Sequence, residues 1–155
     1  MYYDFRTDIK LIAEDFNNAY CRCLEKKDSH IDEFGRLISK VLNVPALVNG
    51  AFACELYLKS LLGKKAKKTH LLEELYELLK TPEKEALKSI ILEKLEKAEL
   101  KEGFAYYLKN ISNLFYYWRY ISEKIDFGKL GVNLSLKTLD CFLSGIKTYV
   151  DSIHK

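Results

Sequence analysis

The chain has 155 residues, of which 48% are hydrophobic and 30% are charged, a balance typical of one folded domain. Its formal net charge of +3 is too small to indicate nucleic-acid binding by itself, because that binding depends on a clustered basic surface. The longest apolar run, from Val44 to Cys54, is interrupted by Pro45 and Gly50 and falls short of the roughly 20 residues of a membrane span, so we predict one domain, residues 1–155, and no membrane contact.

Hydrophobic residues recur every three or four positions over most of the chain, which predicts helices. A first amphipathic helix is predicted from about Thr7 to Lys26. Ser29 and Asp32 are spaced like a capping box, so we expect a shorter second helix. Its apolar residues are Ile31, Phe34, Leu37, Ile38 and Val41.

A third helix begins at Pro45 and is predicted to end near Gly63. It is apolar almost all round, so we place it at the centre of a bundle. Thr69 is predicted to cap a helix that runs through Leu79. Thr81-Pro82 then opens a helix rich in Lys and Glu that ends near Ala98.

Glu102 to Lys124 is predicted to be one long helix. The glycines and Asn133 of the segment 126–133 indicate a loop, after which a last helix runs from Ser135 to His154. We find no strand pattern and no internal repeat. The sequence therefore predicts an all-α fold, a single helical bundle of five to seven helices.

Glu55 is one carboxylate within the apolar third helix. If the neighbouring residues pack around this carboxylate, it would need a cationic or hydrogen-bonding partner. Arg119 is the strongest distant candidate. The simpler alternative is a surface ion pair with Lys59, which stands four residues later in the favourable order.

A basic turn follows the third helix and precedes Thr69-His70. Phosphate could dock there, beside the positive end of the next helix, whereas the alternative is a merely solvated loop. If nucleic acid binds at this turn, charge reversal of Lys65 and Lys68 should weaken binding and flatten its salt dependence. The basic turn consists of Lys64, Lys65, Lys67 and Lys68.

The long helix from Glu102 carries a second face that is rich in Tyr and Asn. Such a mixture suits a partner contact or a small-molecule groove, and the alternative is an aromatic face tucked under neighbouring helices. We predict that this face forms a homodimer interface. Its members are Tyr106, Asn110, Asn113 and Tyr117, with Tyr120 on the same side.

The cysteines predict neither a metal site nor a disulfide framework. Cys21 and Cys23 would point about 200° apart on a helix, so they could not share a tetrahedral ion. Cys54 and Cys141 fall on apolar faces and are expected to be buried thiols. We therefore expect no metal and no cofactor, and a reducing, cytoplasmic environment.

Three short motifs resemble those of the HEPN domain superfamily: Glu55-Leu-Tyr-Leu-Lys59, Thr69-His70 and Trp118-Arg119-Tyr120. The resemblance covers the middle of the chain, from Val48 to Glu123. It implies a small, commonly dimeric helical bundle. Many members are RNA-cleaving toxins or parts of phage-defence systems, and others are catalytically degenerate binding partners.

Active members of this superfamily carry an Arg that is followed four to six residues later by His, and the pair assists attack by the RNA 2′-hydroxyl. Arg119 matches the first position, but Glu123, Lys124 and Ile125 stand where the His is expected. The missing imidazole is the group that would carry the proton near neutral pH.

The resemblance therefore implies a degenerate member that binds a nucleotide, RNA or a protein partner in a toxin–antitoxin or phage-defence type system. Arg119 would contact the anion, Glu55 would orient Arg119, and Tyr120 would supply a stacking surface. Lys59 and His70 would add charge or hydrogen bonds.

Two alternatives remain. One is a metal-independent ribonuclease with a rearranged site, in which His70 acts with Arg119. The other is a purely structural homodimer.

Overall fold

The computed structural model describes residues 5–25, 30–31, 33–35, 37–38, 43–66, 68–112, 114 and 132–153. This part of the chain is a bundle of α-helices, which confirms the predicted all-α fold. A 3-10 turn, Gly63–Lys65, follows the second helix. The helices are α1 (Phe5–Leu24), α2 (Asn43–Leu62), α3 (Leu72–Glu77), α4 (Thr81–Lys97), α5 (Phe104–Ser112) and α6 (Val132–Ile153).

Helix α2 is the centre of the bundle, as its apolar composition predicts. It packs against α1, α3 and α6. An element that is covered on several sides must be apolar on several sides, and α2 buries residues all around its axis. They include Leu47, Ala53, Cys54, Tyr57 and Leu58.

Helices α4 and α5 pack against α6, and α3 packs against α2 and α5. The Phe104 ring of α5 stacks on Phe142 of α6, with ring centroids 5.4 Å apart, and lies 5.1 Å from the Tyr76 ring of α3. Gly145 brings α4 and α6 close together: a Cβ at this position would lie 2.6 Å from Ile91 Cγ1. Among the described helices, none is long and apolar enough to span a bilayer.

The short helix predicted after Ser29, between α1 and α2, is wrong. His30–Ile31 and Leu37–Ile38 instead form two antiparallel strands of two residues each, with His30 opposite Ile38. Gly35, in the turn between them, has a φ of +74°, a conformation that interrupts a right-handed helix. A glycine at position 35, among apolar residues with a helical spacing, therefore indicates a turn.

Two predicted helix starts are shifted. Thr69 does not cap α3, because α3 begins at Leu72 with Leu71 at the N-cap, and it ends at Glu77 rather than Leu79. Lys80, not Thr81, is the N-cap of α4. The Lys80 backbone N–H donates to the Glu83 carboxylate at 2.9 Å, so the cap of α4 is supplied by the third helical residue.

The predicted long helix from Glu102 is confirmed for α5, which begins at Phe104. Its predicted continuation to Lys124 falls mostly outside the described residues. The last helix begins at Val132 instead of Ser135, so Val132 and Asn133 are helical and not part of a loop.

Candidate functional site

Glu55 is buried in α2 with three polar contacts around it. Its side chain is 1% exposed. Its Oε1 accepts a hydrogen bond from Lys59 Nζ at 2.6 Å. His70 Nδ1 lies 3.0 Å from Oε1 and 3.1 Å from Oε2. The carboxylate is therefore withdrawn from water but bonded by two side chains that can carry positive charge.

Lys59 occupies the same face of α2 as Glu55, one helical turn later. Its side chain is 16% exposed, so its aliphatic part is packed while its ammonium bonds the carboxylate. The predicted surface pair of Glu55 and Lys59 is wrong in one respect, because the carboxylate is buried. The ion pair itself is present.

His70 reaches Glu55 from the connection between the 3-10 turn and α3. Gly63, with a φ of +56°, ends α2 and turns the chain. Further along, the Leu71 backbone N–H donates to Thr69 Oγ1 at 3.2 Å, which holds the short segment around His70. Thr69 therefore orders the connection rather than the helix that follows.

The two sides of the His70 ring have different environments. A carboxylate only accepts hydrogen bonds, so the contact with Glu55 requires a proton on Nδ1. The side chain is 61% exposed. The imidazole therefore has its Nδ1 edge fixed by a buried carboxylate and much of its remaining surface at solvent, an arrangement suited to contacting an anion or moving a proton.

The structure thus brings together three predicted site residues, Glu55, Lys59 and His70. Arg119 and Tyr120 lie outside the described residues, so the predicted contact of Arg119 with Glu55 stays a prediction. The signal for His70 in the sequence is the Thr69-His70 pair, which only resembles a HEPN motif. Hydrophobic periodicity cannot predict that His70, which lies in a connection, contacts Glu55 of α2.

Three lysines of the basic turn, Lys64, Lys65 and Lys68, are exposed, and Lys67 lies outside the described residues. The predicted contribution of a helix end is not found. The first turn of α3 carries Glu73 and Glu74, and the Glu73 N–H already donates to Ser112 Oγ at 3.1 Å. Any anion bound at this turn would therefore be held by lysine side chains.

The predicted Tyr/Asn face is described only at its beginning. Tyr106 is 51% exposed, and Asn110 is also exposed, so at these positions the face is not tucked under neighbouring helices. The next residue, Tyr107, is buried instead, and its hydroxyl accepts a hydrogen bond from the Glu102 N–H at 3.2 Å. Asn113 and Tyr117 lie outside the described residues.

Two of the four cysteines are buried, whereas Cys21 is exposed and Cys23 is partly exposed. Cys54 and Cys141 are buried, as predicted, and burial raises the pKa of both thiols. In the part of the chain that the structure describes, no group of three or more His, Cys, Asp or Glu residues could hold a metal ion.

The chain was compared with known proteins. No family model matches it, and neither a curated protein nor a solved structure gives a significant match.

Proposed function

We propose that this chain is a small RNA-binding helical domain of the HEPN type, which uses Lys59, His70 and the basic turn to contact phosphate groups. The observation that carries the proposal is the buried Glu55 carboxylate, bonded to Lys59 and His70 at 2.6 and 3.0 Å. A domain of this kind would act in the cytoplasm, in a toxin–antitoxin or phage-defence type system.

Charge and exposure support this proposal. Glu55 balances the charge of Lys59, so a protonated His70 would add a positive charge at the surface, next to a turn with three exposed lysines. Phosphate contacts from such side chains supply most of the affinity of non-specific nucleic-acid binding. The buried carboxylate would hold Lys59 and His70 in position before RNA arrives. Arg119 and Tyr120 remain predicted contacts of the same surface.

Fluorescence anisotropy with a single-stranded RNA, measured over a series of salt concentrations, tests the proposal. The variant Lys64→Glu/Lys68→Glu should weaken binding. If it loses two phosphate contacts, the plot of log affinity against log salt becomes shallower by about 1.4. The matched control, Lys101→Glu/Lys137→Glu, makes the same charge change at exposed positions elsewhere. Equal losses in both variants would refute binding at the basic turn.

A ribonuclease is the second candidate, and the contact between Glu55 and His70 favours it. A carboxylate that bonds Nδ1 fixes the tautomer and orientation of an imidazole, as in general-base catalysis. His70 would accept the proton of an RNA 2′-hydroxyl, whose oxygen then attacks the adjacent phosphorus and displaces the 5′-oxygen. The displaced 5′-oxygen takes a proton from water, so the products are a 2′,3′-cyclic phosphate and a 5′-hydroxyl.

Cleavage of a mixed RNA pool in the presence of EDTA tests this candidate. The wild-type protein should cleave RNA, His70→Ala should not, and Arg119→Ala should be impaired. Intact RNA with the wild type, or equal cleavage by wild type and His70→Ala, would exclude His70 as the proton carrier and leave the binding proposal in place.

A homodimer through the Tyr/Asn face completes the proposal. The exposure of Tyr106 and Asn110 on α5 supports it, because both side chains are open to a partner and aromatic residues are enriched at interfaces. Light scattering after gel filtration should give the mass of a dimer for the wild type and of a monomer for Tyr106→Asp. A wild-type monomer at high concentration would contradict this assignment and the purely structural dimer as well.

A further inference from the structure

A second group of cations surrounds a cavity that includes neither Glu55, Lys59 nor His70. The cavity has a volume of about 400 Å³, within the size range of small-molecule sites. Arg6 of α1, Lys65 of the 3-10 turn and Lys80 at the start of α4 line it. Glu83 is the one carboxylate among the described lining residues, so the lining has a formal charge of +2.

Local backbone geometry brings these cations together. Arg6 lies across Gly63: a Cβ there would be 2.6 Å from Arg6 Nε, so the glycine lets this side chain lie close to the backbone. Lys65 follows two residues later. Lys80 is placed by the N-terminal cap of α4, where its backbone N–H bonds Glu83.

The charges of Lys65 and Lys80 are not neutralised within the described structure. The ion pairs found there involve other cations: Lys10, Lys59, His70, Lys84, Lys97 and Lys147. Glu83 directs a carboxylate oxygen to the Lys80 backbone rather than to its ammonium. Lys65 and Lys80 line the same cavity and carry the same charge, so an anion bound in the cavity would offset both charges.

The remaining walls indicate what the anion is attached to. Leu62, Leu78 and Ile153 line the cavity, and Ser60 adds a buried hydroxyl that donates to the Tyr57 carbonyl at 2.7 Å. The Ser60 proton is thus engaged, so the lysines supply the donors for an anion. An apolar wall beside two ammonium groups suits a molecule with a compact organic body and a phosphate.

We propose that this cavity binds a small phosphomonoester, with Lys65 and Lys80 contacting its phosphate and the apolar wall contacting its organic part. This is a site for a small molecule, separate from the RNA-contacting surface proposed around Lys59 and His70. Lys65 belongs to both the basic turn and the cavity, whereas Lys80 belongs to the cavity alone.

Titration of the ¹⁵N-labelled protein with phenyl phosphate, followed by NMR, tests the site. The amides of residues 60–63 and of Lys80 should shift in a saturable way, and inorganic phosphate should bind more weakly because it lacks an apolar part. Lys65→Ala and Lys80→Ala should each weaken binding about fivefold, the effect of losing one partly screened charge contact.

Lys64→Ala is the matched control, since Lys64 is an exposed lysine of the same 3-10 turn but does not line the cavity. It should bind phenyl phosphate like the wild type, and so should Lys59→Ala, which tests the RNA surface instead. A wild-type protein that binds phenyl phosphate but not RNA would therefore refute the proposed function alone.

Three results would overturn the inference: no saturable shift with the wild type, unchanged affinity in Lys65→Ala/Lys80→Ala, or shifts confined to the surroundings of His70. Equal affinities for phenyl phosphate and inorganic phosphate would overturn the assignment of an organic body. Circular dichroism of each variant establishes that the helices are intact.

Discussion

Glu55 and His70 are 15 residues apart in the chain, yet both carboxylate oxygens of Glu55 lie within 3.1 Å of His70 Nδ1. The carboxylate belongs to the central helix, and the imidazole belongs to the connection that follows the 3-10 turn. A contact between a buried anion and a largely exposed ring couples the core of the bundle to its surface. Changes at Glu55 should therefore affect both stability and the orientation of His70.

We expect Glu55→Ala to destabilise the protein by about 2–3 kcal/mol, below the full cost of breaking a buried pair, because the partners Lys59 and His70 can reach water. Urea unfolding measures this. Glu93→Ala removes the same type of side chain from an exposed pair with Lys97 and should leave the unfolding midpoint unchanged. Equal effects of the two substitutions would show that Glu55 is not held as described.

Glu55→Gln should remove the preference for one tautomer of His70 without creating a cavity, because an amide can accept from a protonated Nδ1 or donate to a bare one. In the wild type, histidine ¹H–¹⁵N spectra should show the proton of His70 on Nδ1, since a carboxylate can bond this nitrogen only through a proton. In the variant the ring should populate both tautomers. A wild-type ring with its proton on Nε2 alone would contradict the bond to Glu55.

The bounds of the helices are best predicted from the sequence where apolar residues recur with a helical period. The 3.6-residue period located α1, α2 and α4 to within a few residues, and the all-round apolar character of α2 indicated its central position. The period failed between α1 and α2, because Ile31, Phe34 and Ile38 have a helical spacing although the segment forms a short hairpin. The positive φ of Gly35 distinguishes the two.

The site was predictable only in part, for a physical reason. Glu55 and Lys59 are neighbours on one helix, so their pairing follows from helical geometry. The contact with His70 depends on the path of a turn that no periodicity describes. Likewise, Lys65 and Lys80 meet at one cavity because α2 and α4 pack against the same bundle, a relationship that is not visible in a sequence of isolated basic residues.

Two buried tyrosines should respond differently to loss of the hydroxyl. The Tyr20 hydroxyl of α1 donates to Asp140 of α6 at 2.9 Å, so Tyr20→Phe should cost about 1 kcal/mol. The Tyr57 hydroxyl is buried without a hydrogen-bond partner among the described residues, so Tyr57→Phe should be neutral or stabilising. Equilibrium unfolding compares them, and a destabilised Tyr57→Phe would show that this hydroxyl donates to the nearby Glu14 carboxylate.

Gly145→Ala should destabilise the bundle by about 1–2 kcal/mol, although alanine is the better helix former, because the new methyl group would overlap Ile91. A double-mutant cycle with Ile91→Ala identifies the cause. If the overlap is responsible, adding Gly145→Ala to the Ile91→Ala protein should cost much less than adding it to the wild type. Equal costs in both backgrounds would mean that the two helices are not in close contact at this point.

The ion pairs that join α1 to α6 should make the stability of the bundle depend on pH in acid. Lys147 bonds Glu14 at 2.9 Å and Asp151 at 2.8 Å, and Lys10 lies 3.2 Å from Asp151. Partial burial alone would raise the pKa of Asp151, but the hydrogen bonds and charges of Lys147 and Lys10 outweigh burial and lower it. A carboxyl group whose pKa is lower in the folded state binds fewer protons there than in the unfolded chain.

The stabilisation from Asp151 is therefore complete above the pKa of the unfolded chain, near 3.8, and is lost as the pH falls through the lower folded value. Because the Asp151 side chain is 43% exposed, solvent screening should keep its contribution below about 1 kcal/mol. Asp151→Asn should lower the free energy of unfolding at pH 7 and leave it nearly unchanged at pH 2.5. Urea unfolding at the two pH values tests this, and an equal loss at both would show that Asp151 stabilises the helix ends through contacts other than its charge.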